Sequence, residues 1–242
     1  MRTPGKSAAL DARSEITQLA LDVCSTASVN AAVAQVIAAA GSLDIVVNNA
    51  GIELFTAVHL ASDEDVAWQF DTNVTGVVRM ARAVVPHMLA NGGGTIVNVG
   101  SLAGLVGAPY GGLYSASKHA VEALTESMHF ELSQQGIRMR IIEPGQFATQ
   151  LGTNSLVSAA MTPDSDEYRR WQRFRAAQRT LVDGEPAPAQ RVADVIYQAA
   201  TEVPGKLRYL VGADADLVGG AKAAMTFEDF DAAMRTTLNW FE

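Results

Sequence analysis

GTIVNVGSLAGLVGAPYGGLYSASK, residues 94–118, decides how this 242-residue chain is read. The apolar run TIVNV after a glycine predicts a buried strand. The glycine-rich stretch that follows predicts a loop, and the residues after it a helix entered just before Tyr114. Tyr114 and Lys118 are four residues apart, so on that helix they lie one above the other on the same face. A cation beside a phenol favours the phenolate, which predicts a Tyr114 pKa below its reference of about 10. Tyr114 is therefore a candidate general acid/base. Ser101, on the loop leaving the strand, is a candidate to hold a substrate oxygen beside the phenol. Taken alone, a Tyr and a Lys at this spacing far more often mark an ordinary solvated helix face.

Composition bounds the rest. With 48% hydrophobic residues, 242 residues can bury a large core as one α/β domain. The formal charge of −8 and pI near 5.0 disfavour nucleic acid or an anionic membrane as partner. No apolar run reaches the length of a membrane span, and the Met1–Lys6 stretch lacks the apolar core of a signal peptide, so a cytoplasmic enzyme is the default expectation. Cys24 is the only cysteine, which rules out an internal disulfide and a cysteine-based metal site.

Ile16 to Val23 (ITQLALDV) reads as a buried parallel strand, Ser28 to Ala40 as a helix stopped by Gly41, and Leu43 to Asn48 as a second strand. Strand, helix, strand is a βαβ unit, and its repetition predicts a doubly wound sheet. NNAG at 48–51 follows that strand directly. It is either a plain strand-to-loop turn or a place where small residues admit another backbone while the asparagines tie strands or a ligand together. Ser62 to Asn91 reads as a long helix with an acidic cap (Asp63, Glu64, Asp65), kinked or broken near its end by Pro86. Leu113 to Gln135, ended by Gly136, presents Tyr114 and Lys118; Arg138 to Glu143 is a strand running into Pro144 and Gly145. Between about 150 and 190 periodicity weakens around an aromatic, polar helix bearing Tyr168, Trp171 and Phe174. That region is a lid over a site or a surface excursion. Arg191 to Thr201 is a helix, Leu207 to Val211 the last strand, and the tail through Trp240 helical.

The order of strand, Ser101, Tyr114 and Lys118 within YSASK resembles the active-site segment of the short-chain dehydrogenase/reductase family. With LDV, NNAG and Pro144–Gly145 the resemblance runs from about Ile16 to Ala213 and is specific as a set. It implies a Rossmann-like sheet, an NAD or NADP cofactor, and interconversion of a secondary alcohol and a ketone. It assigns catalysis to Asn73, Ser101, Tyr114 and Lys118. It assigns the adenine to Asp22 and Val23, the neighbourhood of Asn49, Ala50 and Gly51 to the cofactor, its ribose to Lys118 with Tyr114, and the nicotinamide end to Pro144, Gly145, Phe147 and Thr149. It makes 150–190 a lid on a single 1–242 domain, whose Leu151, Leu156, Val157, Met161 and Trp171 suggest an apolar substrate. It also makes the apolar excess on 113–135 (Ala120, Val121, Leu124, Met128, Leu132) a homodimer or homotetramer surface, which core packing would explain as well.

The family's opening strand, TGxxxGxG turn and helix, whose N-terminus receives the pyrophosphate, have no counterpart before Ile16, nor does its second strand. A βαβ unit takes about 30 or more residues. Gly100, Gly104 and Gly107 have a similar spacing but sit in the catalytic loop. Met1-Arg2-Thr3 falls near the end of the family's second strand, which makes Arg2 a candidate vestige of a 2′-phosphate contact. The expectation is an N-terminally truncated doubly wound sheet: the Ile16 strand closes onto the Leu43 strand, or other chain fills the gap, or that region is poorly ordered. Dinucleotide binding by this chain is then expected to be weak or absent, and a catalytically silent remnant or interaction protein is the alternative to an oxidoreductase.

Overall fold

The computed structural model describes residues 4–5, 8–149, 151, 155–181 and 186–240. Its sheet has four strands, β1 (Ile45–Asn48), β2 (Gly94–Val99), β3 (Ile137–Pro144) and β4 (Arg208–Val211), all parallel and adjacent in that order. Asn48 pairs with Asn98, Gly94 with Ile137, and Ile141 with Arg208. Parallel neighbours need crossovers, and helices supply them. α1 (Thr26–Ala40) precedes β1; α2 (Asp63–Phe70) and α3 (Gly76–Ala90) join β1 to β2; α4 (Gly112–Leu132) joins β2 to β3; α5 (Asp166–Gln178) and α6 (Gln190–Thr201) join β3 to β4; α7 (Phe227–Leu238) follows.

Both faces of the sheet are apolar because both are covered. On one, Val33 of α1, Val84 and Met88 of α3 and Leu132 of α4 pack on Val46, Ile96, Ile137 and Met139. On the other, Ala199 and Ala200 of α6 pack on Val97, Ile142, Tyr209 and Val211. Each large side chain taken out of water here contributes about 1.5–3 kcal/mol. The helix stops follow local chemistry. Ser25 accepts from the Ser28 N–H at the start of α1, Gly41 ends it at φ +80°, and Ser62 with Asp65 closes a capping box on α2. α4 passes through a 3₁₀ turn (Ser133–Gln135) to Gly136 at φ +84°.

Two expectations are corrected. Residues 16–22 form no strand: Ile16 is 38% exposed, and a run of apolar residues becomes a strand only when a neighbour completes its ladder. β1 is an edge of the described sheet, and its Ile45 and Val47, on the α6 side, stay 41% and 40% exposed. The 62–91 helix is interrupted not at Pro86, past which α3 continues to Ala90, but by a π turn at Asp71–Thr75. Arg2 lies outside the described residues.

The 155–181 stretch docks on the loop after β1. Leu156–Val157 pairs in parallel with Leu54–Phe55, Ser155 Oγ donates to Glu53 at 2.8 Å, Ser158 Oγ to Asp65 at 2.8 Å, and Trp171 stacks on Phe55 at 5.4 Å. Met161 is buried beneath, whereas Leu156 is half-exposed.

Candidate active site

The chemistry-bearing side chains gather at the carboxyl ends of β1, β2 and β3, where open parallel sheets place their ligand crevice. Asn49 follows β1, Ser101 follows β2, and Pro144 closes β3 with Gly145 next. α4 brings Tyr114 and Lys118, both buried, under the Ser101 loop. The Ser101 hydroxyl stands close enough to the phenol to act on its acidity, and it accepts from the Ala103 N–H, which turns the loop at its exit from the strand. The Lys118 ammonium donates to the Val99 carbonyl at 2.7 Å and stands 5.7 Å from the centre of the Tyr114 ring.

Asn73 joins this group through the π turn. An extra residue in the helix swings its buried side chain towards the loop after β1. There its Oδ1 accepts from Ile52 N–H and its Nδ2 donates to the Ile52 carbonyl and to Ser117 Oγ, at 2.9, 2.9 and 3.0 Å. Gly51 is the point of contact: a Cβ there would sit 3.6 Å from Asn73 Oδ1 and 3.8 Å from Lys118 Nζ. Asn48 does tie strands, donating to Asn98 at 2.8 Å, and Asn98 donates to Thr125 of α4 at 2.8 Å.

The electrostatics reverse the expected phenol. Burial pushes the Tyr114 pKa well above its ordinary value, the Glu53 carboxylate pushes the same way, and the Ser101 hydrogen bond only partly opposes them. Burial likewise pulls Lys118 down to about 8, with Glu122 and Glu53 opposing. Burial dominates the phenol, and the acid that adds to it, Glu53, comes from a loop that spacing along one helix does not reveal.

Glu53 is the residue sequence reading missed. Desolvation raises its pKa, and Ser155, Arg175 and Lys118 pull it back. Arg175 comes from α5 and lies 4.7 Å over the Phe55 ring. Asp214 was missed as well; its buried carboxylate accepts from Gln146 N–H at 2.7 Å and fills the space beside Gly145, where any Cβ would overlap it. A buried acid just after the last strand is the signal that could have found it.

The remaining expected residues lie apart from the cluster's hydrogen bonds. Asp22 is tied to the start of α1, its N–H donating to Ser28 Oγ, and Val23 rests on the start of α3, its carbonyl accepting from Arg79 at 3.1 Å. Asn49 and Ala50 are exposed, Phe147 is half-buried, and Thr149 is exposed. The apolar positions of α4 go mainly to the core, which takes Val121, Met128 and Leu132 and leaves Phe130 79% exposed. Among the described residues the only glycine-rich turn from a sheet strand into a helix is 100–112, already occupied by Ser101 and Tyr114. No described helix is long and apolar enough to cross a membrane, and no described group of side chains could hold a metal ion.

Comparison with known proteins agrees with this geometry. A 3-ketodihydrosphingosine reductase of Bacteroides thetaiotaomicron is 38% identical over 154 residues, 64% of this chain and 57% of the relative, so this chain spans little more than half of that protein's length. A gluconate 5-dehydrogenase of Burkholderia cenocepacia solved with NADP and tartrate superposes with a TM-score of 0.65 at 27% identity, covering 86% of this chain and 75% of its own. A short-chain dehydrogenase/reductase of Burkholderia phymatum solved with NAD gives a TM-score of 0.73 at 26% identity, covering 90% and 77%. The short chain dehydrogenase family profile matches residues 5–158, and with the sheet order and the Ser101–Tyr114–Lys118 cluster it makes this chain a member of the short-chain dehydrogenase family.

Proposed function

We propose that this chain is an NAD(P)-dependent oxidoreductase interconverting a secondary alcohol and a ketone on an apolar substrate. The observation that carries the reading is the single cluster of a neutral buried phenol, a hydroxyl beside it and a buried ammonium one helical turn away. In reduction Tyr114 Oη gives its proton to the carbonyl oxygen, and in oxidation it takes the proton back; Ser101 orients that oxygen. Lys118 holds the ribose together with Tyr114 and stabilises the phenolate left by proton donation. Asn73 fixes the Ile52 backbone beside Lys118 and supports the proton path. The bound dinucleotide supplies or accepts the hydride. Asp22 and Val23 would receive its adenine, Asn49, Ala50 and Gly51 its middle, and Pro144, Gly145, Phe147 and Thr149 its nicotinamide end. The 150–190 stretch covers the substrate, and the outer faces of α3 and α4 pair copies into a dimer or tetramer.

Tyr114→Phe removes the proton donor without changing shape. Its rate of reduced-nucleotide consumption on long-chain and steroid ketones is expected to fall about 10²–10⁴-fold. A variant as fast as the parent overturns the assignment.

A second reading is favoured by the bare edge of β1 and the lack, among the described residues, of a free glycine-rich cradle for the diphosphate. Under it the chain keeps the acid–base cluster but does not capture the nucleotide. Fluorescence titration decides: micromolar affinity for NADPH or NADH sinks this reading, and no saturation at millimolar nucleotide supports it.

A further inference from the structure

One buried cluster has no part in the scheme above. Glu122 lies one turn beyond Lys118 on α4, so the two side chains share a helix face. Glu143 of β3 faces it, fully buried, and Arg208 of β4 stands between them with Nε 3.3 Å from an oxygen of each carboxyl group. Arg208 also bonds Glu126 at 2.5 Å. The Ser101 loop closes on Glu122 from above: a Cβ on Gly100 or Gly104 would lie 2.9 or 3.1 Å from its Oε1. Among the described residues Arg208 meets the carboxyl oxygens of Glu122 and Glu143 as an ion pair, and no hydrogen bond from a side chain outside this group or from the backbone satisfies them.

Two carboxylates that close cannot both ionise without a second cation. Arg208 is already matched by Glu126, and Glu53, across the site, is matched by Arg175. The titratable and charged groups around Lys118 are therefore the neutral Tyr114 with Glu53 and Arg175 on the cleft side, and Glu122, Glu143, Glu126 and Arg208 behind it. They balance when the Glu122–Glu143 pair holds one proton and one negative charge, with the Lys118 ammonium as the partner of that charge. Burial raises both carboxyl groups; Glu143 pushes Glu122 up further, whereas the hydrogen bond from Glu122 pulls Glu143 back, in keeping with a shared proton.

We propose that Glu122, sharing one proton with Glu143, is a positioning residue that keeps Lys118 charged and thereby governs the acidity of Tyr114. This rests on the Tyr114–Lys118 reading of the site. Glu122 touches neither substrate nor nucleotide in this scheme; it acts through the ammonium.

The chain has four lysines, Lys6, Lys118, Lys206 and Lys222, so ¹³Cε-lysine NMR of the nucleotide-free protein resolves each titration, with Lys118→Met assigning the signal. Glu122→Gln leaves the pair's charge on Glu143, beside Arg208 and off the helix face of the ammonium, and the Lys118 midpoint is expected to fall by a pH unit or more. Glu143→Gln leaves the charge on Glu122, nearer the ammonium, and the midpoint is expected to stay or rise. The exposed Glu126→Gln is expected to leave it in place. A merely structural pair would move the midpoint in both inner variants alike or in neither. No fall in Glu122→Gln, or an equal fall in Glu143→Gln, overturns the proposal, and Glu143→Gln alone keeps it refutable should Glu122→Gln not fold. Because the readout needs no turnover, an inactive parent refutes the catalytic reading without touching this one.

Discussion

Replacing Lys118 by Met should stabilise the fold at neutral pH and destabilise it at alkaline pH. Burial of the ammonium lowers its pKa from 10.5 to about 8. At about 1.4 kcal/mol per pH unit, that drop corresponds to about 3 kcal/mol of stability withheld by the charged lysine below pH 8. The sign follows from proton counting: between about 8 and 10.5 the unfolded chain binds the proton more readily than the native one, so stability climbs as pH rises through that window. Methionine fills the same channel without a charge but strands the Val99 carbonyl, now bonded at 2.7 Å, at a cost of about 1–3 kcal/mol. Lys118→Met is thus expected to be more stable than the parent by about 1–2 kcal/mol at pH 7 and less stable by a similar amount above pH 10.5, with activity lost throughout. Urea unfolding of both proteins across that range tests this, because groups that do not interact with Lys118 cancel in the difference, and the acids that do, Glu53 and Glu122, titrate at or below the lower end of that window. A stability difference that does not change with pH would refute the account of a desolvated ammonium.

Two further outcomes follow from buried contacts. Asn98→Ala removes the links to Asn48 and Thr125, both 2.8 Å, from a fully buried position, and should cost about 2–4 kcal/mol in urea unfolding, with Thr125→Val non-additive in a double-mutant cycle. Gly145→Ala places a methyl group on the Asp214 carboxylate and should cost about 1–3 kcal/mol from overpacking, plus the Gln146 hydrogen bond, while Asp214→Ala in the same chain should recover part of the loss.

The helix α4 and the pairing of Tyr114 with Lys118 were legible because both are local: four residues on a helix meet whatever surrounds them. β1 to β4 were legible to within two residues, since apolar runs between glycine, proline and asparagine stops have few other uses. Ile16 to Val23 has the same local character and formed no strand, because a ladder needs a neighbour and no composition encodes one. The place of Asn73 was read by resemblance. Its actual setting depends on a π turn, whose extra residue leaves no mark in hydrophobic period.

What the sequence determined by itself, then, is most of the helices and strands and the meeting of the Tyr114 phenol with the Lys118 ammonium on one helix face, because those depend on contacts within one or two turns of chain. Only the tertiary structure decided the charge state of that group. Glu53 comes from one loop, Glu122, Glu143 and Arg208 from three elements, and their burial sets the direction in which Tyr114 and Lys118 titrate. Desolvation and Coulomb attraction depend on distance through the fold, and residue order along the chain does not contain that distance.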